Sequence, residues 1–289
     1  MNTATVQECE TSSKEVPDSD LSNRMSYSGY LDLERLLAAQ KPLSESPDEM
    51  LFIIQHQTTE LWMKLIIHEL SSVIAAIGQN HVGLACKRLL RVSRVFEQLN
   101  DAWDVLRTMT PSEFLRFRGA LGQSSGFQSW QYRALEFLAG NRDLARLSPY
   151  TNDRYASTRL REILNEPSLY DESIRLLARS GFEIGLNGER ESWSERRPPN
   201  ETVLRAWKTV YDAPDSYWQL YLLAEQLIDF EDQFRRWRVN HVSTVERVIG
   251  MKRGTGGTDG VSYLRRGLDI VLFPELWQVR TQLEAGADH

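Results

Sequence analysis

The sequence predicts an all-α protein, a helical bundle domain with a small helical insertion. Apolar residues recur at the spacing of an α-helix over several long segments, and no run of alternating apolar and polar residues bounded by turn residues is present. The chain of 289 residues is long enough to bury a sizeable core. Its 41% hydrophobic and 26% charged residues are ordinary for a soluble globular protein.

Two long helices are predicted in the first part of the chain. The first covers residues 46–77, where Ser46 can act as the cap and Pro47 fits the first turn. The second covers residues 85–109, where leucine, valine and aromatic residues form one apolar stripe. Residues 80–83 supply the turn between the two helices.

Shorter helices are predicted in the middle of the chain. Thr110 can cap a short helix that begins at Pro111, because proline suits the first helical position. A break at residues 122–126 precedes a further helix over residues 127–138, which Gly140 can end.

The rest of the chain alternates between helices and loops. Residues 142–214 are less regular and are predicted to form the small helical insertion. A polar stretch over 185–200 and a glycine-rich stretch over 254–260 are predicted to be loops. The remaining helices are predicted near residues 158–165, 171–180, 216–251 and 274–283.

Composition also bears on compartment and partners. Residues 1–26 are polar and acidic, lack the features of a signal peptide, and are expected to form a mobile arm ahead of one domain over 27–289. Cys9 and Cys86 belong to no metal-binding motif, and no apolar run approaches the roughly 18 residues that span a bilayer. We therefore expect a cytoplasmic protein that binds no membrane. The net charge of −6 and the scattered basic residues argue against a nucleic-acid partner.

The five histidines restrict the possible metal sites. His289 is terminal and His81 lies in a predicted turn, while His56 and His68 are about 120° apart on one helix and do not share a face. No histidine pair has the spacing of a zinc or di-iron site. What remains is His56 and His241, single histidines on two long helices. This pattern suits a planar cofactor with one axial ligand, but two hydrogen-bonded core histidines are the commoner origin of such a pattern.

The residues around these histidines are aromatic. Phe52 lies one turn before His56, and an aromatic ring beside an imidazole suits a flat aromatic substrate, although Phe52 can also be a plain core residue. Trp237 lies one turn before His241 and can supply the apolar wall that a ligating histidine needs.

Arg118 and the glycine-rich loop are candidates for binding an anion. Arg118 follows two phenylalanines and can form a bidentate pair with a carboxylate, or lie over apolar side chains at the surface. The loop over 254–260 lacks the lysine of a phosphate-binding loop. It can still present amide groups to a carboxylate, or serve as a flexible connector.

Five segments, taken together and in order, resemble the tryptophan 2,3-dioxygenase family. The resemblance extends from about residue 27 to about residue 280, which is nearly the whole predicted domain. The segments are 27–31 (YSGYL), 52–62 (FIIQHQTTELW), 121–129 (LGQSSGFQS), 237–242 (WRVNHV) and 253–258 (RGTGGT).

The resemblance implies a b-type haem held within the helical bundle. His241 would be the axial ligand of the haem iron and therefore the metal-binding residue. Trp237, Ser125 and Gly126 would border the cofactor. The haem would carry the reaction with O2, while the protein would orient the substrate.

The same resemblance implies a substrate site for L-tryptophan. His56 would be the catalytic residue, hydrogen-bonded to the indole N–H, and Phe52 would pack against the indole. Arg118 and Thr255 would bind the carboxylate of the amino acid.

The family is a homotetramer, which implies a role for the first residues of the domain. Tyr27, Tyr30 and Leu31 would reach the substrate site of a neighbouring subunit.

The implied activity is oxidative cleavage of the indole C2–C3 bond of L-tryptophan by O2, giving N-formyl-L-kynurenine in tryptophan catabolism, the kynurenine pathway. One alternative is a related haem enzyme that acts on a methylated tryptophan or inserts a single oxygen atom. The other is a non-catalytic haem sensor. Product mass distinguishes the first alternative, and a haem spectrum that ignores tryptophan would indicate the second.

Overall fold

The computed structural model of the chain describes residues 25–185, 192–252 and 260–284. Two compact units make up the chain, Met1–Lys41 and Pro42–His289. No β-strand occurs among the described residues, so the all-α prediction is confirmed. The predicted arm over 1–26 lies outside the described residues, except for Met25 and Ser26.

Twelve α-helices and three short 3₁₀ turns are present in the described part of the chain. The helices are α1 (Tyr27–Tyr30), α2 (Leu33–Leu37), α3 (Asp48–Gly78), α4 (Val82–Leu106), α5 (Pro111–Arg118), α6 (Trp130–Ala139), α7 (Arg154–Leu164), α8 (Leu169–Arg179), α9 (Glu201–Asp212), α10 (Trp218–Ile249), α11 (Val261–Arg265) and α12 (Pro274–Gln282). The 3₁₀ turns are Gly119–Leu121, Gly126–Gln128 and Leu144–Tyr150.

The core of the larger unit is built on helices α3, α4 and α10. Helix α4 packs along both of the other two, and its buried Phe96 contacts Phe230 and Phe234 of α10 at ring-centroid distances of 5.9 and 5.2 Å. Each fully buried side chain of this size stabilises the fold by roughly 1.5–3 kcal/mol. These contacts fix the two histidine-bearing helices, α3 and α10, relative to α4.

Helix α3 is long and apolar enough to span a membrane by length and composition alone, which the sequence reading did not anticipate. Its residues Ile66, Leu70 and Val73 are fully buried in the core. The same helix carries Glu69, whose buried carboxylate is paired with two arginines of α4. The apolar content of α3 thus has a structural use in packing against its neighbours.

The segment over 142–214 contributes to two cores. Helix α7 packs on α6 and forms a small second core with the turn before it, whereas α8 and α9 join the main core. Helix α9 was not predicted, although its sequence contains the expected features. Asn200 caps the helix by accepting from the backbone N–H of Thr202, and Val203, Trp207 and Val210 form its buried stripe.

Several predicted helix ends are confirmed and one is wrong. Thr110 caps α5 ahead of Pro111, and Gly140 ends α6 with a positive φ of 113°. A Cβ atom at that glycine would approach the Cβ of Tyr170 to 2.9 Å. Ser46 does not cap α3, because Pro47 occupies the cap position and the Ser46 hydroxyl has no partner among the described residues.

Candidate active site

A cavity of about 310 Å³ opens within the larger unit between helices α3, α4, α6 and α10. His56 reaches it from α3 and His241 reaches it from α10, so the two histidines of the predicted site share one space. Trp103 of α4 and Trp237 of α10 contribute aromatic walls, and Gly126 lines the edge.

The hydrogen bond of His56 defines its tautomer. Its Nδ1 atom lies 2.7 Å from the carbonyl oxygen of Phe52, one turn earlier. A carbonyl can only accept, so Nδ1 carries the proton and Nε2 of the neutral ring is an acceptor.

The surroundings of His56 keep its ring neutral. Burial among protein atoms lowers the pKa of His56, while the Phe52 carbonyl and the charge of Glu60 oppose that effect. The ring is nonetheless accessible, because it faces the open cavity. A neutral imidazole that exposes an acceptor nitrogen to the cavity can bind an N–H group of a ligand.

Three phenylalanine rings form an aromatic cluster next to His56. The ring of Phe52 lies 4.1 Å from that of His56, between centroids. It also lies 5.5 Å from Phe117 and 5.9 Å from Phe114, both buried residues of α5. The turn of α3 that carries His56 is therefore anchored on α5.

His241 is neutral and packs against two indole rings, which also contact each other. Burial, with a smaller contribution from His56, lowers the pKa of His241 to about 4. Trp103 stacks on its ring at 5.1 Å with an interplanar angle of 18°, and Trp237 lies 5.2 Å away. Neither ring nitrogen of His241 has a hydrogen-bond partner among the described residues. The imidazole can thus offer a lone pair to a metal ion.

Unpaired N–H groups surround His241. The indole Nε1 atoms of Trp103 and Trp237 are both buried without a hydrogen-bond partner in the described part of the structure. A buried donor left unpaired costs about 1–3 kcal/mol. Such donors beside a cavity indicate a place for a ligand that carries hydrogen-bond acceptors.

A buried ion cluster forms the wall on the side of α6. The carboxylate of Glu136 pairs with Arg133 in the same helix, with Arg146 at 3.3 Å and with Arg238 at 3.4 Å. Arg146 also reaches Asp143 at 3.5 Å, so three guanidinium groups face two carboxylates. The Nε atom of Arg133 is buried and unpaired within the described residues. This wall is positively charged and suited to an anionic group.

The sequence reading missed this cluster. Arg133 and Glu136 are three residues apart on a helix, and such pairs usually lie on a solvent-exposed face. Arg238 offered a better indication, since it lies between Trp237 and His241 in the segment that the resemblance singled out.

Arg118 lies on a second and smaller cavity of about 210 Å³. That cavity is bounded by Phe114, by the C-terminal end of α10 with Arg247, and by Lys252, which follows α10. The structure does not bring Arg118 to the cavity shared by the two histidines. Phe114 also contacts Phe52, which packs against His56 but does not itself line the main cavity.

The remaining predicted site residues lie in different places. Ser125 does not line the main cavity, whereas the neighbouring Gly126 does. The hydroxyl of Ser125 accepts a hydrogen bond from the backbone N–H of Phe127 at 3.4 Å. Tyr27, Tyr30 and Leu31 belong to the smaller unit, where their side chains are exposed. Thr255 lies outside the described residues.

The side chains that could act as metal ligands limit which metal centre the chain can form. No group of three or more histidine, cysteine or acidic side chains that could hold a metal ion exists in the described ranges. His241, a single imidazole among aromatic rings, instead matches the axial position of a planar cofactor that supplies its own equatorial ligands.

Comparison with known proteins shows which family the chain belongs to. The family profile described as Tryptophan 2,3-dioxygenase matches residues 12–203 and 187–283. The tryptophan 2,3-dioxygenase of Bradyrhizobium sp. (strain ORS 278) is 62% identical over 260 residues, which cover 90% of this chain and 93% of the relative.

More distant relatives carry the same name. The protein of Bradyrhizobium diazoefficiens is 60% identical over 266 residues (92% of this chain and 95% of the relative). That of Polaromonas naphthalenivorans is 54% identical over 264 residues (91% and 94%). At this identity and coverage, together with the two-histidine cavity, the chain belongs to the tryptophan 2,3-dioxygenase family.

Proposed function

We propose that the chain is a haem-dependent tryptophan 2,3-dioxygenase, which cleaves the indole C2–C3 bond of L-tryptophan with O2 and forms N-formyl-L-kynurenine. The observation that carries this proposal is the pair of neutral imidazoles, His56 and His241, on one cavity. Relatives that are 52–62% identical bear the name of this activity. Family membership does not favour the monooxygenase and sensor alternatives.

The residues around the cavity fit a b-type haem. His241 would be its axial ligand, with Trp103 and Trp237 as flanking rings. The unpaired N–H groups of these two indoles and of Arg133 need acceptors, and the carboxylates of a haem are acceptors of the required charge. Gly126 and Ser125 would border the cofactor. When bound, the haem supplies the binding and activation of O2.

His56 would orient the indole of the substrate. Its Nε2 atom accepts the indole N–H, while Nδ1 remains committed to the Phe52 carbonyl. Phe52 would pack against the indole as well as against the imidazole. Because its pKa is lowered, His56 is a weak base, and removal of the indole proton is not the role that its surroundings favour.

The carboxylate of the substrate would be bound by Arg118 and Thr255. The cavity that Arg118 lines also borders Lys252, which lies three residues before Thr255 in the sequence. A guanidinium group forms a bidentate pair with a carboxylate. Fixing that end of the amino acid restricts how the indole ring lies against His56.

The smaller unit would complete the site of a neighbouring subunit in a homotetramer. Tyr27 and Tyr30 are 74% and 75% exposed, and Leu31 is 40% exposed, which is unusual for apolar side chains so close together. Packing on a second copy of the chain would cover them.

The protein would work in the cytoplasm, in tryptophan catabolism. Cys86 is a free, buried thiol whose pKa burial raises to about 11, so it resists oxidation and needs no partner. No disulfide joins the described residues.

A single reaction tests the proposal. The haem-loaded protein is reduced without oxygen and then mixed with L-tryptophan and air, and product mass and absorbance are followed together. A product heavier than tryptophan by two oxygen atoms, with the absorbance of a formylated aryl ketone, supports the dioxygenase. A product with one added oxygen atom, or no product and no spectral response to tryptophan, contradicts it.

A further inference from the structure

Arg107, the residue that caps the C-terminal end of helix α4, bridges the turn of helix α10 that carries His241. Its Nη2 atom donates to Oδ1 of Asn240 at 2.9 Å, and its Nε atom donates to the hydroxyl of Thr244 at 3.1 Å. Asn240 and Thr244 are four residues apart and lie on either side of His241 in the sequence. One guanidinium group therefore spans this helical turn.

Helix α4 contacts the same turn a second time. Trp103, one turn before Arg107, stacks on the His241 ring at 5.1 Å. The last turn of α4 and the residue that caps it thus hold one turn of α10, the first through an aromatic stack and the second through hydrogen bonds.

Side-chain amides extend this connection between the helices. Asn240 donates through Nδ2 to Oδ1 of Asn100 at 3.1 Å, and Asn100 donates through its own Nδ2 to Oε1 of Gln233 at 3.1 Å. Each amide has a distinct donor end and acceptor end, so the series fits only one rotation of α10 about its axis. A shift by one residue would turn the helix by about 100° and break all of these bonds.

His241 needs this kind of support. A metal-binding histidine usually donates its second ring N–H to a carboxylate or carbonyl, which fixes the orientation of the ring. His241 has no such partner among the described residues. Its orientation must therefore come from the helix that carries it and from the ring stacked on it.

We propose that Arg107 is a positioning residue, which fixes the orientation of the His241 imidazole toward the cofactor by spanning Asn240 and Thr244. This inference rests on the proposed function, in which His241 is the axial ligand of a haem. It assigns to the contact between α4 and α10 a role in cofactor binding as well as in packing.

The test compares three variants of the haem-loaded protein. Arg107→Met removes all hydrogen bonds of the guanidinium group, and Thr244→Val removes one acceptor with little change of shape. Arg94→Met is the matched control, because Arg94 lies within α4, is exposed, and pairs only with Glu97 among the described residues. The readouts are the rate of haem transfer to excess apomyoglobin and the low-frequency Raman band of the iron–imidazole bond in the reduced protein. Circular dichroism of the haem-free variants verifies their fold.

Arg107→Met is expected to lose haem about 10- to 100-fold faster than the wild type and to shift the Raman band, as substitutions behind a metal ligand do. Thr244→Val is expected to lose haem about two- to tenfold faster, the effect of one hydrogen bond. If Arg107→Met does not fold, the comparison of Thr244→Val with the wild type provides the test. If the folded variants lose haem at the wild-type rate and show an unshifted Raman band, the role of Arg107 is overturned and the proposed function is not affected. A wild type without an iron–imidazole band overturns the proposed function as well.

Discussion

The Nδ1 atom of His56 lies 2.7 Å from the carbonyl oxygen of Phe52 and can only donate to it. This one contact leaves Nε2 as the acceptor that faces the cavity, whereas a doubly protonated ring would present a donor there. The predicted role of His56 as the partner of an indole N–H depends on this relationship.

Replacing His56 should weaken turnover without abolishing it. In His56→Ala the indole N–H would lose its acceptor, and an unpaired buried donor costs about 1–3 kcal/mol, so kcat/KM should fall roughly 5- to 150-fold. Steady-state kinetics on the haem-replete variant provide the measurement. Complete loss of activity in a folded, haem-replete variant would show that His56 does more than orient the substrate.

A methylated substrate should reveal the same hydrogen bond independently. 1-Methyl-L-tryptophan has no indole N–H, so the difference in kcat/KM between the wild type and His56→Ala should largely disappear with this substrate. The four kcat/KM values form a double-mutant cycle for the contact. If the variant loses activity equally with both substrates, the hydrogen bond between Nε2 and the indole is not the function of His56.

The haem-free protein should become less stable as the pH falls between about 6.5 and 4. Burial lowers the pKa of His241 from 6.5 to about 4, so in this range the unfolded chain binds the proton and the folded chain does not. Stability therefore rises with pH across this window, and the lowered pKa of His56 adds to the slope.

His241→Leu isolates this contribution, because every other titrating group is retained. The free energy of unfolding is measured by urea titration at several pH values. The variant should show a shallower pH dependence than the wild type between pH 6.5 and 4. Parallel curves would mean that His241 is not held neutral by its surroundings.

The ion cluster on α6 should contribute strongly to stability. Arg133→Met leaves the buried Glu136 with only its two longer ion pairs, and breaking a buried pair costs about 3–5 kcal/mol. Arg146→Met, which removes a side chain that is 33% exposed, should cost no more than about 1 kcal/mol. Urea unfolding of the two haem-free variants compares them, and equal losses would contradict the difference in burial as the cause.

Local features of the fold could be predicted from the sequence because their causes are local. Thr110 and Pro111 begin a helix through contacts within four residues, and Gly140 ends one because its φ of 113° suits glycine. Ser46 was misassigned because the residue that directly precedes α3 is Pro47, whose backbone is already helical and which has no side-chain oxygen to cap the helix. The predicted cap of α3 is therefore wrong by one residue.

The shared cavity could not be predicted, since it depends on contacts that are distant in sequence. His56 and His241 each stood out on a helix, but only the packing of α4 against both helices brings them to one space. Trp103, which stacks on His241, was recognised only as part of an apolar stripe. Among the ion partners of Glu136, Arg238 likewise comes from a distant part of the chain, the long helix α10.

The assignment of Arg118 and Thr255 stays a prediction. Arg118 lines the smaller cavity rather than the one that the histidines share. Thr255 lies outside the described residues, in the glycine-rich segment. Both roles follow from the family resemblance, although the place of Arg118 after two phenylalanines had also made it a candidate for binding a carboxylate.

The central claim is that His241 is the axial ligand of a haem in the cavity it shares with His56, and replacement by glycine tests it most directly. His241→Gly opens a space where free imidazole can bind in place of the side chain. We predict that the haem-loaded variant lacks the Raman band of an iron–imidazole bond and regains both the band and part of its activity when imidazole is added. A variant that keeps the wild-type band without added imidazole would contradict the assignment.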